Sequence, residues 1–99
     1  MQIGEFQRLI ESLYLARDRR RGADRTFLWF VEEVGELAEA LRTRDRAALA
    51  AEFADVLAWL ATLASLSEVD LERAAADKYG RGCPKCGAMP CRCAEAGAT

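Results

Sequence analysis

Histidine and asparagine are both absent from this sequence of 99 residues. Because imidazole is the commonest metal-ligating side chain, its absence argues against zinc, copper or iron sites built on histidine. No stretch alternates apolar and polar residues as a half-buried β-strand does, and no repeat of solenoid length is visible. The net charge of −2 gives no reason to expect broad binding to nucleic acid or to anionic membranes. A single helical domain is the simplest interpretation of these absences.

One apolar run, residues 47–66, is long enough to cross a bilayer as a helix. Two acids near its centre, Glu52 and Asp55, and the amphipathic segments around it argue against a membrane span. The first 21 residues are also amphipathic and lack the basic start and apolar centre of a signal peptide. We therefore expect a soluble, cytoplasmic protein without a membrane partner.

The spacing of apolar residues predicts four helices. Asp24, Asp45 and Ser67 each stand where they would cap the N-terminus of the following helix. A polar loop over residues 17–24 is expected between helices one and two. The connection at residues 43–45 is short, so helices two and three are expected to pack antiparallel. The predicted helices cover residues 3–17, 25–42, 47–66 and 67–79.

Residues 1–80 are predicted to form an all-α, four-helix bundle, and residues 81–99 a small cysteine-rich knuckle with a flexible tail. On a helical wheel, the large apolar residues of helices two and three each share one face. A chain this short buries only about two-thirds of its unfolded surface, so part of this apolar surface is expected in a subunit contact. The predicted core faces contain Phe27, Phe30, Val34, Leu37, Leu41, Leu49, Phe53, Val56, Leu57, Leu60 and Leu63.

Two pairs of acids stand beside these core faces. Glu33 and Glu36 are three residues apart on helix two, and Glu52 and Asp55 have the same spacing on helix three. Four clustered carboxylates repel one another unless a cation lies between them. Oxygen ligands without histidine favour Mg²⁺ or Mn²⁺. The pattern therefore predicts a divalent-cation site between the two helices.

Two plainer interpretations of the acids stay open. Glu32, Glu33, Glu36 and Glu39 would form a solvated helix face, as most runs of charge on a helix do, and this interpretation suits Glu32 and Glu39 best because they point further toward solvent. Glu52 and Asp55 are surrounded by apolar or small residues, and a buried ion pair with an arginine from helix one or four would also explain them.

The two acidic motifs, EEVGE at 32–36 and EFAD at 52–55, resemble the EExxE…ExxD signature of the MazG-like family of all-α nucleoside triphosphate pyrophosphohydrolases. The resemblance is close over helices two and three and extends over residues 5–79. It implies Mg²⁺-dependent hydrolysis of a nucleoside triphosphate to the monophosphate and pyrophosphate, by a homodimer or homotetramer. It also implies catalytic roles, with Glu32 positioning water and the metal held by Glu33, Glu36, Glu52 and Asp55.

The resemblance also suggests substrate contacts. Many relatives carry a lysine and an asparagine late in the chain, and Lys78 is the candidate for the first, although a solvated lysine at a helix end explains it equally well. Trp29 and Trp59 lie near the acids and would either stack on a nucleobase or pack in the core or a subunit contact. A basic stretch would meet a triphosphate or be a solvated loop; its members are Arg17, Arg19, Arg20, Arg21 and Arg25.

Four cysteines follow the helices, and their compact spacing favours a structural zinc site. Disulfides, a redox CxxC and an iron–sulfur site are the alternatives. A closed site of this kind would anchor helix four or bind a partner, and the few cations around it make no strong case for nucleic acid. The cysteines are Cys83, Cys86, Cys91 and Cys93.

Two functions follow from these features. The first is a nucleotide pyrophosphohydrolase in which water attacks the α-phosphorus and pyrophosphate leaves. The second is a non-catalytic helical oligomer that presents a zinc knuckle to a partner. A di-iron carboxylate bundle ranks last, because that class of protein generally uses histidine ligands.

Overall fold

The computed structural model describes residues 1–94, and within them the chain forms four α-helices and no β-strand. This confirms the predicted all-α fold. The end of the predicted flexible tail, from residue 95 onward, lies outside the described residues. The helices are α1 (Ile3–Arg21), α2 (Ala23–Arg42), α3 (Arg46–Leu66) and α4 (Leu71–Tyr79).

The predicted loop between helices one and two is wrong, because α1 continues to Arg21 and α2 begins two residues later. Gly22 alone joins them, with φ 85° and ψ 163°, a conformation open essentially only to glycine. Its N–H donates to the carbonyl of Asp18 at 2.9 Å. Asp24 therefore lies in the first turn of α2 and is not its N-cap. Arginine is a good helix former, so the basic stretch extends α1 instead of breaking it.

The predicted N-cap of α3 is confirmed. The Asp45 side chain accepts hydrogen bonds from the backbone N–H groups of Ala47 and Ala48, both at 3.1 Å. This cap satisfies two N–H groups that would otherwise lack a partner and fixes where α3 begins after a short connection.

The predicted N-cap of α4 is wrong. Ser67 ends α3 instead, and its N–H donates to the carbonyl of Leu63 at 3.0 Å. The chain then turns through Glu68 at φ 59°, and Asp70 caps α4 by accepting from the Arg73 N–H at 3.1 Å. Helix four is shorter than predicted for this reason.

A buried glutamine ties α1 to the turn between α3 and α4. The Gln7 amide donates to Ser65 Oγ at 3.1 Å and to the Val69 carbonyl at 2.8 Å. Its carbonyl oxygen accepts from the Leu71 N–H at 2.9 Å. These bonds satisfy a buried amide and hold the start of α4 against α1.

The apolar interior of one chain is small, and the predicted core faces of α2 and α3 lie largely outside it. α3 packs against both α1 and α2. The predicted burial is wrong for six of these residues within one chain, whereas five are half-buried: Phe30, Leu37, Leu49, Val56 and Leu63. The buried apolar residues are Ile10, Ala40, Ala61 and Ala64. Six of the predicted core residues are at least 40% exposed, namely Phe27, Val34, Leu41, Phe53, Leu57 and Leu60.

Helix α3 is long and apolar enough to cross a membrane by length and composition. Core helices of soluble proteins pass the same test, and α3 packs against α1 and α2. A soluble, cytoplasmic protein stays a prediction.

Candidate metal centre

Three carboxylates come together where α2 packs against α3. Glu33 and Glu36 share one side of α2 because three residues make nearly one helical turn. Glu52 reaches the same place from α3. Carboxylate oxygens of the three residues lie within 4.8 Å of one another. The predicted meeting of acids from the two helices is thus present for three of the four.

Two oxygens in this group are buried without a hydrogen-bond partner, namely Glu33 Oε2 and Glu52 Oε2. Leaving a charged acceptor unsatisfied is unfavourable, so such atoms indicate a missing cation or proton. The predicted alternative, an ion pair of Glu52 or Asp55 with an arginine, does not occur among residues 1–94. The ion pairs there are Asp18–Arg21, Glu39–Arg42 and Arg73–Asp77.

The environment of Glu33 favours its neutral form. Burial, followed by the negative charges of Glu36, Asp55 and Glu52, raises the pKa of Glu33 to about 7. A positive ion among the carboxylates would reverse the effect of those charges. The group therefore has both the geometry and the electrostatics of a cation site.

The remaining acids differ in position. Asp55 stays outside the group of three, although its charge acts on Glu33, and it lines a cavity between α1 and α3. Glu32 is exposed. Glu39 is also exposed, on the solvated face where it was predicted, and lies 3.5 Å from the guanidinium of Arg42.

The donor set fits a hard divalent cation. All three clustered ligands offer carboxylate oxygen, which Mg²⁺ and Mn²⁺ prefer, and the cluster contains no sulfur. Mg²⁺ held by a few carboxylates keeps open positions for water and for phosphate oxygens.

The two tryptophans predicted near the acids contact each other. The rings of Trp29 and Trp59 stack with centroids 6.1 Å apart and planes 9° from parallel. Trp29 is nevertheless 48% exposed, and the Arg21 guanidinium lies over Trp59 at 4.9 Å from the ring centroid. A contact between Trp29 and substrate stays a prediction.

Lys78 lies beside the cysteines. It lines a cavity at the end of α4 together with Cys83, and its ammonium is 5.7 Å from the ring centroid of Tyr79. Binding of phosphate by Lys78 stays a prediction.

The four cysteines form a compact cluster of free thiols. One Sγ from each lies within 4.8 Å of the others, and the distances are 3.7 Å for Cys83–Cys93 and 4.0 Å for Cys86–Cys91. A tetrahedron with zinc–sulfur bonds of 2.3 Å has edges of about 3.8 Å, so the cluster fits zinc. The Arg92 N–H donates to Cys86 Sγ at 3.3 Å, and mainly this bond lowers the pKa of the Cys86 thiol to about 6.

Glycines shape the loop that holds this cluster. Gly82 has φ 112° and Gly87 has φ 75°, backbone conformations that side chains rarely adopt. The Gly87 N–H donates to the Cys83 carbonyl at 2.7 Å and closes the turn between the first two cysteines.

A buried polar network on α1 was missed from the sequence. Asp18 accepts hydrogen bonds from the Arg21 guanidinium and from Thr62 Oγ1, the latter at 3.1 Å. Arg21 Nε donates in turn to Thr26 Oγ1 at 3.0 Å. The sequence feature that could have indicated this network is the i, i+3 spacing of Asp18 and Arg21, which is typical of a helix and not of a loop.

This all-α architecture, with clustered carboxylates between two packed helices, defines a class of helical proteins with an acidic cation site. The chain belongs to the MazG family: the family model described as the MazG nucleotide pyrophosphohydrolase domain matches residues 21–87. No curated protein matches the chain. The matched range contains α2, α3 and α4 and reaches Cys86, whereas most of α1 precedes it.

Proposed function

We propose that this protein is a Mg²⁺-dependent nucleoside triphosphate pyrophosphohydrolase that releases the monophosphate and pyrophosphate. One observation carries the proposal: two buried oxygens without partners, on Glu33 and Glu52, face a third carboxylate in a chain of the MazG family. Such a group is unfavourable unless a proton or a cation binds there, and a nucleotide pyrophosphohydrolase needs a cation beside the phosphates.

Each acid has a role in this proposal. Glu33, Glu36 and Glu52 hold the cation, with Asp55 completing the set from the mouth of the α1–α3 cavity. Glu32, exposed at the edge, positions water. The bound cation, Mg²⁺ or Mn²⁺, supplies Lewis acidity that neutralises phosphoryl charge and activates water.

Pyrophosphate release from canonical and modified nucleoside triphosphates, with Mg²⁺, Mn²⁺ or EDTA, tests the proposal. We expect Glu36→Gln to lower kcat/KM by a factor of at least about 100 and to weaken Mg²⁺ binding measured by calorimetry. Glu39→Gln is the matched control on the same helix and should leave both unchanged. No turnover, with Mg²⁺ binding equal in wild type and Glu36→Gln, would refute the site and favour the non-catalytic oligomer.

We also propose that the exposed faces of α2 and α3 meet a second copy of the chain, in a homodimer or homotetramer. The chain exposes 7616 Å², whereas a folded monomer of 10.9 kDa exposes about 5,600 Å². The excess of about 2,000 Å² is more than the roughly 800 Å² that each partner buries in a standard interface. Large apolar residues dominate these faces, as in obligate interfaces.

Sedimentation analysis tests the assembly. We expect Phe53→Asp, on the exposed face of α3, to shift the protein toward monomer. Tyr79→Asp is the control, because it changes an equally exposed aromatic residue on α4. A wild-type monomer at every concentration would contradict the proposal.

We further propose that the four cysteines bind a structural zinc ion. Metal analysis should find about one zinc per chain, and Cys83→Ser should lower that content. Iron, or visible absorbance typical of an iron–sulfur cluster, would contradict the zinc assignment.

A further inference from the structure

A cavity of about 300 Å³ lies between α1 and α3, and one of its lining residues, Asp55, is close enough to the carboxylate cluster for its charge to act on Glu33. Its volume is within the range of small-molecule sites, which are largely apolar and aromatic with a few placed polar groups. Asp55, the fourth predicted metal ligand, lies in its wall. The cavity's other polar and aromatic lining residues are Tyr14, Arg17, Asp18, Arg21, Trp59 and Thr62.

Asp18 provides an ionic acceptor in this cavity. It is only 4% exposed, and one carboxylate oxygen accepts from the Arg21 guanidinium while the other accepts from Thr62 Oγ1 at 3.1 Å. A carboxylate has about four lone-pair sites, so two protein donors leave acceptor capacity for a ligand. The two donors also fix the orientation of the carboxylate.

Arg21 provides a rigid donor beside that acceptor. Its Nε donates to Thr26 Oγ1 at 3.0 Å, and its guanidinium lies over Trp59. Thr26 is fully buried and itself donates to the Gly22 carbonyl at 2.7 Å. The donor, the acceptor and the aromatic wall are therefore arranged before any ligand arrives, which lowers the entropic cost of binding.

We propose that this cavity receives the nucleobase of the substrate and that Asp18 determines specificity by accepting an N–H from an exocyclic amino group. The preferred substrates are then triphosphates of amino-bearing bases, namely cytosine, adenine or guanine. This inference rests on the proposed function, because the phosphates of the same substrate would lie at the metal centre near Asp55.

The physical reason is the polarity of the base edge. An ionised carboxylate only accepts hydrogen bonds, so it pairs with an amino group and repels a carbonyl oxygen at the same position. Uracil and hypoxanthine place a carbonyl where cytosine and adenine place an amino group. When this position of the base faces Asp18, the keto analogue brings a carbonyl oxygen to a carboxylate that only accepts hydrogen bonds, so the keto analogue binds less well in that orientation.

Matched substrate pairs test the inference. CTP against UTP, and ATP against ITP, differ at the same amino-to-keto position, and we expect the amino member of at least one pair to have a kcat/KM at least tenfold higher. Asp18→Asn should reduce this ratio to below threefold or invert it, because an amide also donates. Glu11→Gln is the matched control, a carboxylate on the same helix that accepts from Ser65 outside this cavity, and should keep the wild-type ratio.

Circular dichroism melting shows whether Asp18→Asn folds. If it does not fold, the inference is tested on wild-type protein by calorimetric binding of non-hydrolysable α,β-imido analogues of CTP and UTP. We expect the CTP analogue to bind tenfold more tightly than the UTP analogue. Three outcomes overturn the inference: equal kcat/KM within each pair, a higher kcat/KM for the keto member, or a wild-type ratio in folded Asp18→Asn. In each of these cases, pyrophosphate release still supports the proposed function. Failure of the proposed function appears instead as no turnover of any nucleotide, and the same analogue affinities then decide the inference.

Discussion

At the scale of single residues, Glu33 is the acid of the candidate metal centre at which burial and like charge conflict. One of its oxygens is buried without a partner, and three other carboxylates raise the free energy of its charged form. A proton and a divalent cation are alternative ways to relieve this conflict, so they should compete for the site. Cation affinity is therefore expected to rise with pH up to about 7.

This competition predicts a pH-dependent stability. The pKa of Glu33 is raised to about 7 in the folded state, so the folded state favours the proton. Its contribution is fully present below the unfolded value near 4.5 and is lost as pH rises through about 7. In EDTA, urea unfolding should show the stability difference between Glu33→Gln and wild type growing over this window.

Saturating Mg²⁺ should reduce the loss in wild type, since binding to the folded state stabilises it. Subtracting the Glu33→Gln profile removes groups common to both proteins, including Cys86, whose lowered pKa acts in the opposite direction. Parallel pH profiles for the two proteins in EDTA would contradict this assignment to Glu33.

The sequence was informative about Glu33, Glu36 and Glu52 because their spacing alone places them on helix faces. Asp18 was missed because its partner Thr62 is 44 residues away in the sequence. The spacing of residues along the chain does not reveal contacts between such distant positions. The neighbours of Asp18 are also charged, so the segment resembled a solvated loop. Burial of a polar side chain by another helix is a tertiary property.

At the scale of elements, the single residue between α1 and α2 sets their junction. Replacing Gly22 with alanine forces a side chain into φ 85° and should destabilise the protein by about 1–3 kcal/mol. Urea unfolding measures the change. Gly35→Ala is the control: its added Cβ meets open space in the middle of α2, and it should be neutral or stabilising by up to about 1 kcal/mol.

The Gln7 bridge supports a second prediction at this scale. Gln7→Leu removes partners from the part-buried Leu71 N–H and Val69 carbonyl. It should destabilise the protein by about 1–3 kcal/mol, less than the summed cost of leaving two fully buried groups unsatisfied. Hydrogen exchange should accelerate first in α4. Ser12→Ala removes an exposed hydrogen bond of the Ser12 hydroxyl on α1, so it should change neither the stability nor the exchange rates. Equal exchange in α4 in the two variants would contradict the role of Gln7.

The helix bounds show where local signals suffice. Asp45 was predicted correctly because its side chain bonds within three residues, which the sequence displays. Ser67 was a reasonable cap by residue type, but the backbone turns again at Glu68 and leaves Asp70 to cap α4. Two suitable capping residues close together cannot be ranked without the path of the chain.

At the scale of the whole molecule, one chain has too small an interior for the apolar residues it carries. The helical period showed which residues share a face, but a period does not say whether that face is covered by the same chain or by another copy. The prediction of a core on α2 and α3 is therefore correct for the five residues that are half-buried in one chain and wrong for the six that stay exposed.

Assembly should make stability depend on concentration. Because subunit contacts form only in the folded oligomer, raising the protein concentration 100-fold should raise the wild-type Tm by several degrees. Scanning calorimetry over that range measures the shift. Phe53→Asp should have a lower Tm that no longer changes with concentration, and a constant wild-type Tm would argue for a stable monomer.

The position of α1 has a consequence for redesigning the protein. The clustered carboxylates are on α2 and α3, whereas Tyr14, Asp18 and Arg21 enter the neighbouring cavity from α1. On the proposed roles, a library of substitutions confined to the inward side of α1 would retune which base is accepted while leaving the hydrolytic centre untouched. On these proposed roles, α1 would determine which base binds, while α2 and α3 would carry the residues for hydrolysis.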